Sequence, residues 1–304
     1  MSTEMLRYSL SGPTMGTRFS AVLQALAGLD TDALGATLQA EVDRVDRQMS
    51  TWKPDSDLMR LNAAPCGQWL EVPDELLWVL LSAVQVSVAS DGAFEIAVGE
   101  LVTAYGFGPP SLVGCAPGRS GRASELLEID PEGKRVRKHG PLTLDLNGIA
   151  KGFAVDQMAR CLEAQGITSY LVGIDGEMRA RGLKADGSAW KVALERPLRG
   201  RREVLGALEL SDIAIATSGD YRHWRERDGQ SYSHTMDPAT GAPLQSNLAS
   251  VSVLCASCMY ADAWATALMV LGPERGRELA ERQGLAAIFV LREGDALREV
   301  TVGL

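Results

Sequence analysis

Histidine and cysteine are both scarce in this chain. Its three histidines, His139, His223 and His234, are scattered along 304 residues. The five cysteines, Cys66, Cys115, Cys161, Cys255 and Cys258, are odd in number and irregular in spacing. That excludes the disulfide framework of a small secreted domain. Cys255-Ala256-Ser257-Cys258 has the C-x-x-C spacing, but one such pair with scattered histidines does not complete a zinc site. Two packing cysteines are expected there. Positive charge is in deficit: 30 Lys and Arg stand against 39 Asp and Glu, a net charge of −9. Nucleic acid and anionic membranes are therefore excluded as general partners, although a local cationic pocket is not. No apolar run approaches the ~18 residues of a membrane span. Met1 to Leu10 shows neither a signal peptide nor a lipidation cysteine, so the chain as written is expected to stay in the cytoplasm. No internal repeat is present.

What is there is an ordinary globular composition, 46% hydrophobic and 23% charged, in a chain long enough to bury a large core. The stretch Leu144 to Asp156, LDLNGIAKGFAVD, is the most informative. The apolar run Leu142 to Leu146 reads as a short strand, and Asn147-Gly148 as a turn. Ile149, Phe153, Met158 and Leu162 then recur at helical spacing until Gly166 stops the helix. A helix start offers free backbone N–H groups and the positive end of the dipole. Lys151 adds a cation, and Gly148 and Gly152 let a ligand approach the backbone. Such a turn suits a phosphate. It equally suits a helix that merely follows a strand, with Lys151 in solvent.

Other segments fill in the architecture. Met15-Gly16-Thr17 leads into an alternating strand with Phe19, Ala21 and Leu23. Thr31 or Asp32 caps a helix that carries Leu34, Leu38, Val42, Val45 and Met49. A polar loop follows with Trp52, suited either to stacking on a flat ring or to anchoring the loop. Pro73-Asp74-Glu75 opens a helix that ends at Asp91-Gly92. Residues 111 to 125, rich in Gly, Ser, Pro and Arg, read as a mobile surface loop. Further strands are read at Tyr170 to Ile174, Ala189 to Leu194, Ile213 to Ala216, Leu248 to Leu254 and Ala286 to Leu291. His234 stands beside a turn, either as a proton carrier or as a structural residue. Asp262 and Thr266 lie four apart in a helix read from Tyr260 to Leu271. That spacing puts two hard oxygen atoms on one face, suited to Mg²⁺. The alternative is an Asp complementing the helix dipole and a Thr facing the core. Strands and helices are interspersed without a crossover rhythm, which predicts an α+β fold with a mainly antiparallel sheet and flanking helices.

Seven blocks in order resemble the ApbE family, the flavin transferases also known as thiamine-biosynthesis lipoproteins. They are Met15-Gly16-Thr17, Met49 to Asn62, the Gly-Ala-Phe-Glu-Ile-Ala-Val-Gly run from Gly92, 144–156, Thr217 to Tyr221, Tyr232 to Gly241, and Ala261 to Leu268. The resemblance implies one ApbE-like (T-fold-like) domain over residues 1–304. It implies a Mg²⁺-dependent FAD:protein FMN transferase that moves the FMN half of FAD onto a Thr or Ser hydroxyl of a partner flavoprotein and releases AMP. The alternatives are an FAD diphosphatase and a non-catalytic FAD-binding protein. By resemblance, Asp262, Thr266 and the Ala150 carbonyl hold the metal. Met15, Trp52, Ala93, Phe94, Glu95, Asn147, Lys151, Phe153 and Met236 line the FAD site. His234, or a carboxylate such as Asp220 or Glu95, takes the proton. The chain departs from the family pattern at Glu95, where Asp is usual, and at Ile96-Ala97, where Pro-Thr is common. Asn147-Gly148 replaces a commoner Ser or Gly pair. The family is also typically exported.

Overall fold

A computed structural model describes residues 5–109, 121–222, 224–227 and 230–304. The first two strands, β1 (Met5–Thr14) and β2 (Thr17–Leu26), form a hairpin across Met15-Gly16. Both turn residues have positive φ, 46° and 72°, as a two-residue hairpin turn requires. Helix α1 (Thr31–Met49) follows. Its cap is Asp30, whose Oδ1 accepts from the Ala33 N–H at 2.9 Å, rather than Thr31 or Asp32. The block after it folds as a second helix, α2 (Asp57–Ala63), capped by Ser56. Then come β3 (Leu70–Glu71), α3 (Asp74–Ala89), α4 (Gly99–Ala104) and a one-turn α5 (Ala123–Leu126). The surface-loop reading of 111–125 lies outside the described residues as far as residue 120. Strands β4 (Leu127–Asp130) and β5 (Arg135–Lys138) form a small sheet with β3.

Helix α6 (Ala150–Ala164) begins where the helical period predicts. Next are β6 (Tyr170–Ile174), β7 (Glu177–Arg181), β8 (Trp190–Glu195), β9 (Val204–Leu210) and β10 (Ala214–Gly219). Short ladders follow, β11 (Trp224–Arg227) with β12 (Gln230–Ser233) and β13 (Met236–Asp237) with β14 (Ala242–Pro243). The chain then runs through β15 (Leu248–Cys255), α7 (Cys258–Gln283), β16 (Ala286–Glu293) and β17 (Ala296–Val302). The helix read from Tyr260 to Leu271 continues beyond Leu271 as this one element, broken at Gly272 (φ 76°, ψ −177°) ahead of Pro273. Proline cannot supply the N–H that would continue the ladder, so the chain kinks there.

The eight-stranded sheet has the order β1-β2-β6-β7-β10-β15-β16-β17, and its pairings are antiparallel. Strand alternation sorts its side chains onto two faces. Phe19, Ala21, Leu23, Ala214, Val251 and Val253 join the large core under the helices. Ile215 joins Trp190, Val192 and Leu210 under the β8–β9 hairpin, and Val22 and Leu254 pack against that cluster. The sheet is thus covered by helices on one side and by a hairpin on the other. Leu248 to Val253 is buried at every position, because β15 is central and lies under cover.

The strand expected at Leu142 to Leu146 does not form. The segment joins no sheet, and its hydrogen bonds go elsewhere. The Asn62 side chain stands in for a strand neighbour: its Nδ2 donates to Leu144 O at 2.9 Å and its Oδ1 accepts from Leu144 N at 2.7 Å. Asp145 N donates to Ile96 O, and Gly99 N to Thr143 O. A single side chain therefore satisfies the backbone at the point where a ladder would have been needed.

Candidate active site

A cleft of about 1150 Å³ opens where the N-terminal end of α6, the first turns of α7 and the ends of β7, β10 and β15 meet. One wall is helical. Asp262 is 4% exposed on α7, and its Oδ2 accepts from the Gly152 N–H at 3.1 Å. Thr266, one turn further on, bonds the Ser218 hydroxyl at 3.1 Å. A Cβ on Gly148 would come within 3.0 Å of Thr266 Oγ1. A Cβ on Gly152 would come within 2.3 Å of Cys258 O and 2.9 Å of Asp262 Cβ. Gly152 is therefore needed for the close approach of the two helices, and Gly148 leaves room for the Thr266 side chain, whatever they do for a ligand.

The helix start is less open than the sequence suggests. Ala150 N donates to Leu146 O at 2.9 Å, and Gly152 N to Asp262. The N–H groups of Gly148 and Lys151 have no partner among the described residues. Both residues line the cleft at the positive end of α6. Lys151 is not a bare cation: its Nζ lies 2.8 Å from Glu177 Oε1. Burial alone would push its ammonium down, but Glu177, Asp262 and Asp175 outweigh burial and hold it charged. The Asp262 carboxyl is also pushed up, to about 7, which for an acid disfavours the charged form. Burial is the main cause and the Glu177 charge the second, with Lys151 and the Gly152 N–H opposing both. A buried carboxylate beside a second carboxylate gains from a cation. Glu177 Oε2 is buried with no hydrogen-bond partner. Glu177 was not singled out in the sequence. Its only signal was a carboxylate just after the Asp175-Gly176 turn.

The opposite wall is made of strand ends and turns. Asp220 is not brought to the cleft. Its two oxygens are clamped by Arg292 at 2.6 and 2.7 Å, behind the lining residues Gly219 and Tyr221. Strand alternation turns it away from them. Phe153 is 2% exposed and packs in the core rather than lining the cleft, because the part of α6 that lines the cleft stops short of it. Glu95 reaches the cleft with its oxygens already engaged: Oε1 accepts from Ala97 N and Ala123 N, and Oε2 from the Ser87 hydroxyl. It holds the 93–97 segment in shape. Met15, Trp52, Ala93, Phe94, Asn147, Ala150, Lys151, His234, Met236, Asp262 and Thr266 all line the same space. Trp52 is 58% exposed at its mouth. The His234 ring stands edge-on to Phe107, with centroids 6.3 Å apart. Arg222 pairs with Asp175 and Glu195, and all three line the cleft.

Among the described residues, no group of three His, Cys, Asp or Glu side chains is placed to hold a metal ion. Thr266 and Ala150 line the cleft together with Asp262. The C-x-x-C cysteines are both free. Cys258 is buried, with its Sγ turned to the carbonyls of Met178 and Ile215.

The sequence profile of the ApbE family matches residues 15–289. The chain belongs to the ApbE family. Among its ApbE relatives, the FAD:protein FMN transferase of Vibrio cholerae is 41% identical over 300 residues, covering 95% of this chain and 89% of the relative. The FAD:protein FMN transferase of Escherichia coli is 34% identical over 299 residues, covering 95% and 85%. In three dimensions, the apo flavinyl transferase ApbE of Pseudomonas stutzeri superimposes with a TM-score of 0.87 at 39% identity, covering 99% of this chain and 96% of that one. The flavin transferase ApbE from Vibrio cholerae gives the same TM-score at 37% identity, covering 98% and 97%. The α+β fold with an antiparallel sheet is thus that of ApbE flavin transferases.

Proposed function

We propose that this ApbE chain is an FAD:protein FMN transferase that uses Mg²⁺ and moves FMN from FAD to a Thr or Ser hydroxyl of an acceptor flavoprotein. One observation carries the reading: Asp262 and Thr266 of α7 face the first turn of α6 inside a single large cleft. Two hard oxygens meet two unpartnered N–H groups there, and each set suits one side of a diphosphate.

The fit to Mg²⁺ rests on this chain's own groups. Asp262 Oδ2 is anchored by Gly152, and Oδ1 accepts no hydrogen bond from the described residues. Thr266 is oriented by Ser218. The Ala150 carbonyl, at the same junction, is the third candidate ligand. When bound, Mg²⁺ would neutralise charge on the diphosphate and stabilise the group being transferred. Gly148 and Lys151 N–H groups would hold the diphosphate oxygens, and the Lys151–Glu177 pair would keep the ammonium beside them. Phe94 and Met236 would pack on the ring systems, with Trp52 closing the mouth. The acceptor hydroxyl oxygen would attack the phosphorus of the FMN half. The bond from that phosphorus to the bridging oxygen breaks, and AMP leaves with the electron pair. The hydroxyl proton would pass to His234, since Asp220 is clamped and Glu95 is engaged.

The test is incubation with FAD, Mg²⁺ and a flavoprotein domain carrying the target Thr or Ser, read by intact-mass spectrometry. The acceptor should gain the mass of FMN as AMP appears in equal amount, and chelation should stop both. AMP without an adduct would mark a diphosphatase. FAD binding with neither product would reduce the protein to a carrier.

A further inference from the structure

Asp156 takes no part in the chemistry above, yet it is among the most heavily bonded side chains in the molecule. It sits on α6 and is 4% exposed. Its Oδ1 accepts from Arg179 NH1 at 2.5 Å and from Cys258 N at 3.0 Å. Its Oδ2 accepts from the Ser257 hydroxyl at 2.7 Å and from Met259 N at 3.0 Å. Both backbone donors lie in the first turn of α7. A carboxylate carried by one helix therefore satisfies the open N–H groups of another and complements its dipole.

The contact has a counterpart one turn away. Gly152 is four residues before Asp156 on α6, and Asp262 is four residues after Cys258 on α7. The Gly152 N–H bonds Asp262 Oδ2 at 3.1 Å. The pairs 156–258 and 152–262 thus run antiparallel, each helix lending one carboxylate to the other's backbone. Nothing larger than glycine fits between them, since a Cβ at Gly152 would meet Cys258 O at 2.3 Å. Two points fix the register of α7 on α6. Asp262 supplies one of them, and it is also the proposed metal ligand. Asp156 supplies the other, so that Asp262 need not hold the helices together alone.

We infer that Asp156 is a positioning residue for the metal site: it sets the register of α7 against α6, and so the direction in which Asp262 and Thr266 point. The inference rests on the transferase reading of that site. Asp156→Asn keeps the shape but replaces an acceptor oxygen with an NH₂ that faces donors. The readout is the dissociation constant for Mn²⁺, titrated by electron paramagnetic resonance in the presence of FAD, with the melting temperature recorded alongside. A group bonded directly to a metal ligand typically contributes about 10–100-fold to metal affinity. Asp156 acts one step further back, through the α7 backbone, and a weakening of about tenfold, the low end of that range, is expected here. The Mg²⁺ concentration for half-maximal AMP release should rise in step, with kcat recovering at saturating Mg²⁺. Ser257→Ala removes one donor, and with it the long N-cap bond from Tyr260 N, while leaving the carboxylate and its two backbone bonds to α7. It should weaken Mn²⁺ binding by about threefold, the size of one net hydrogen bond, and it serves if Asp156→Asn does not fold. A lower melting temperature with an unchanged Mn²⁺ constant in the variants would overturn the inference and leave the transferase reading standing. A wild-type protein that binds no Mn²⁺ with FAD would overturn both.

Discussion

On the helical wall of the cleft, Asp262 and Thr266 stand on a helix pinned to α6 by buried carboxylate-to-backbone bonds. On the facing wall, Thr217 to Arg222 and His234 to Met236 come from strand ends and turns. That wall is tied by arginines: Arg292 holds Asp220, and Arg222 holds Asp175 and Glu195. Backbone bonds between two long helices leave few alternative arrangements. Ion pairs between partly exposed side chains are weaker, are screened by salt, and exchange partners more readily. The difference assigns the walls to different tasks. On the proposed reading, the preorganised helical wall would hold the metal and the diphosphate, and the strand wall, tied by ion pairs, would face the protein acceptor.

Substitutions on the two walls should therefore fail in different ways. Asp262→Ala, on the helical wall, is expected to reduce Mg²⁺-dependent AMP release by about 10³-fold or more, the scale of losing a charge-stabilising group at a transferring centre. The fold should persist, because burying that carboxylate beside Glu177 is itself unfavourable. Normal kinetics in this variant would remove Asp262 from the site. His234→Ala, on the strand wall, should slow transfer by about 10²-fold or more, within the range of general acid–base catalysis, while FAD binding is kept. An unchanged transfer rate with saturating acceptor would take the proton transfer away from His234. Asp220→Asn should leave turnover within about threefold and lower stability by about 1–2 kcal/mol, between the exposed and buried limits for an ion pair. Chemical denaturation and single-turnover rates measure the two effects. A large loss of rate without a loss of stability would return Asp220 to the chemistry.

A separate effect is expected in the pH dependence of stability without metal. Asp262 has its folded-state value raised, chiefly by burial and then by Glu177. The folded state therefore holds the proton more tightly than the unfolded state. That contribution is present in acid and is lost as pH rises toward about 7. In chelator, the wild type should lose more stability than Asp262→Asn between about pH 5 and about pH 8. Parallel curves would show that Asp262 is ionised throughout.

The two walls were also unequally legible in the sequence. The helical wall announced itself: the period of Ile149, Phe153, Met158 and Leu162 located α6, and the four-residue spacing of Asp262 and Thr266 placed both on one face of α7. What the period could not give was the far side of each contact. Glu177 and Ser218 matter only because the sheet carries the β6–β7 turn and the end of β10 to the helix junction. The strand at Leu142–Leu146 was misread because its hydrogen-bond partner is the side chain of Asn62, some eighty residues earlier. On the strand wall, closeness in sequence misled. Asp220 lies between two cleft residues, yet it points to Arg292. Phe153 shares a motif with Lys151 but belongs to the core. The outermost strands β1 and β17 were not singled out, because an edge strand with one exposed face carries a thin hydrophobic signal.

The central claim is that one divalent ion joins the Asp262–Thr266 pair to the diphosphate at the start of α6. A crystal of this protein grown with FAD and Mn²⁺ tests it directly through the anomalous signal of manganese. The account predicts a single strong peak within bonding distance of Asp262, Thr266 and a diphosphate oxygen, with the Gly148 and Lys151 N–H groups on the same diphosphate. A diphosphate lying elsewhere in the cleft, or a manganese peak remote from Asp262, would contradict it.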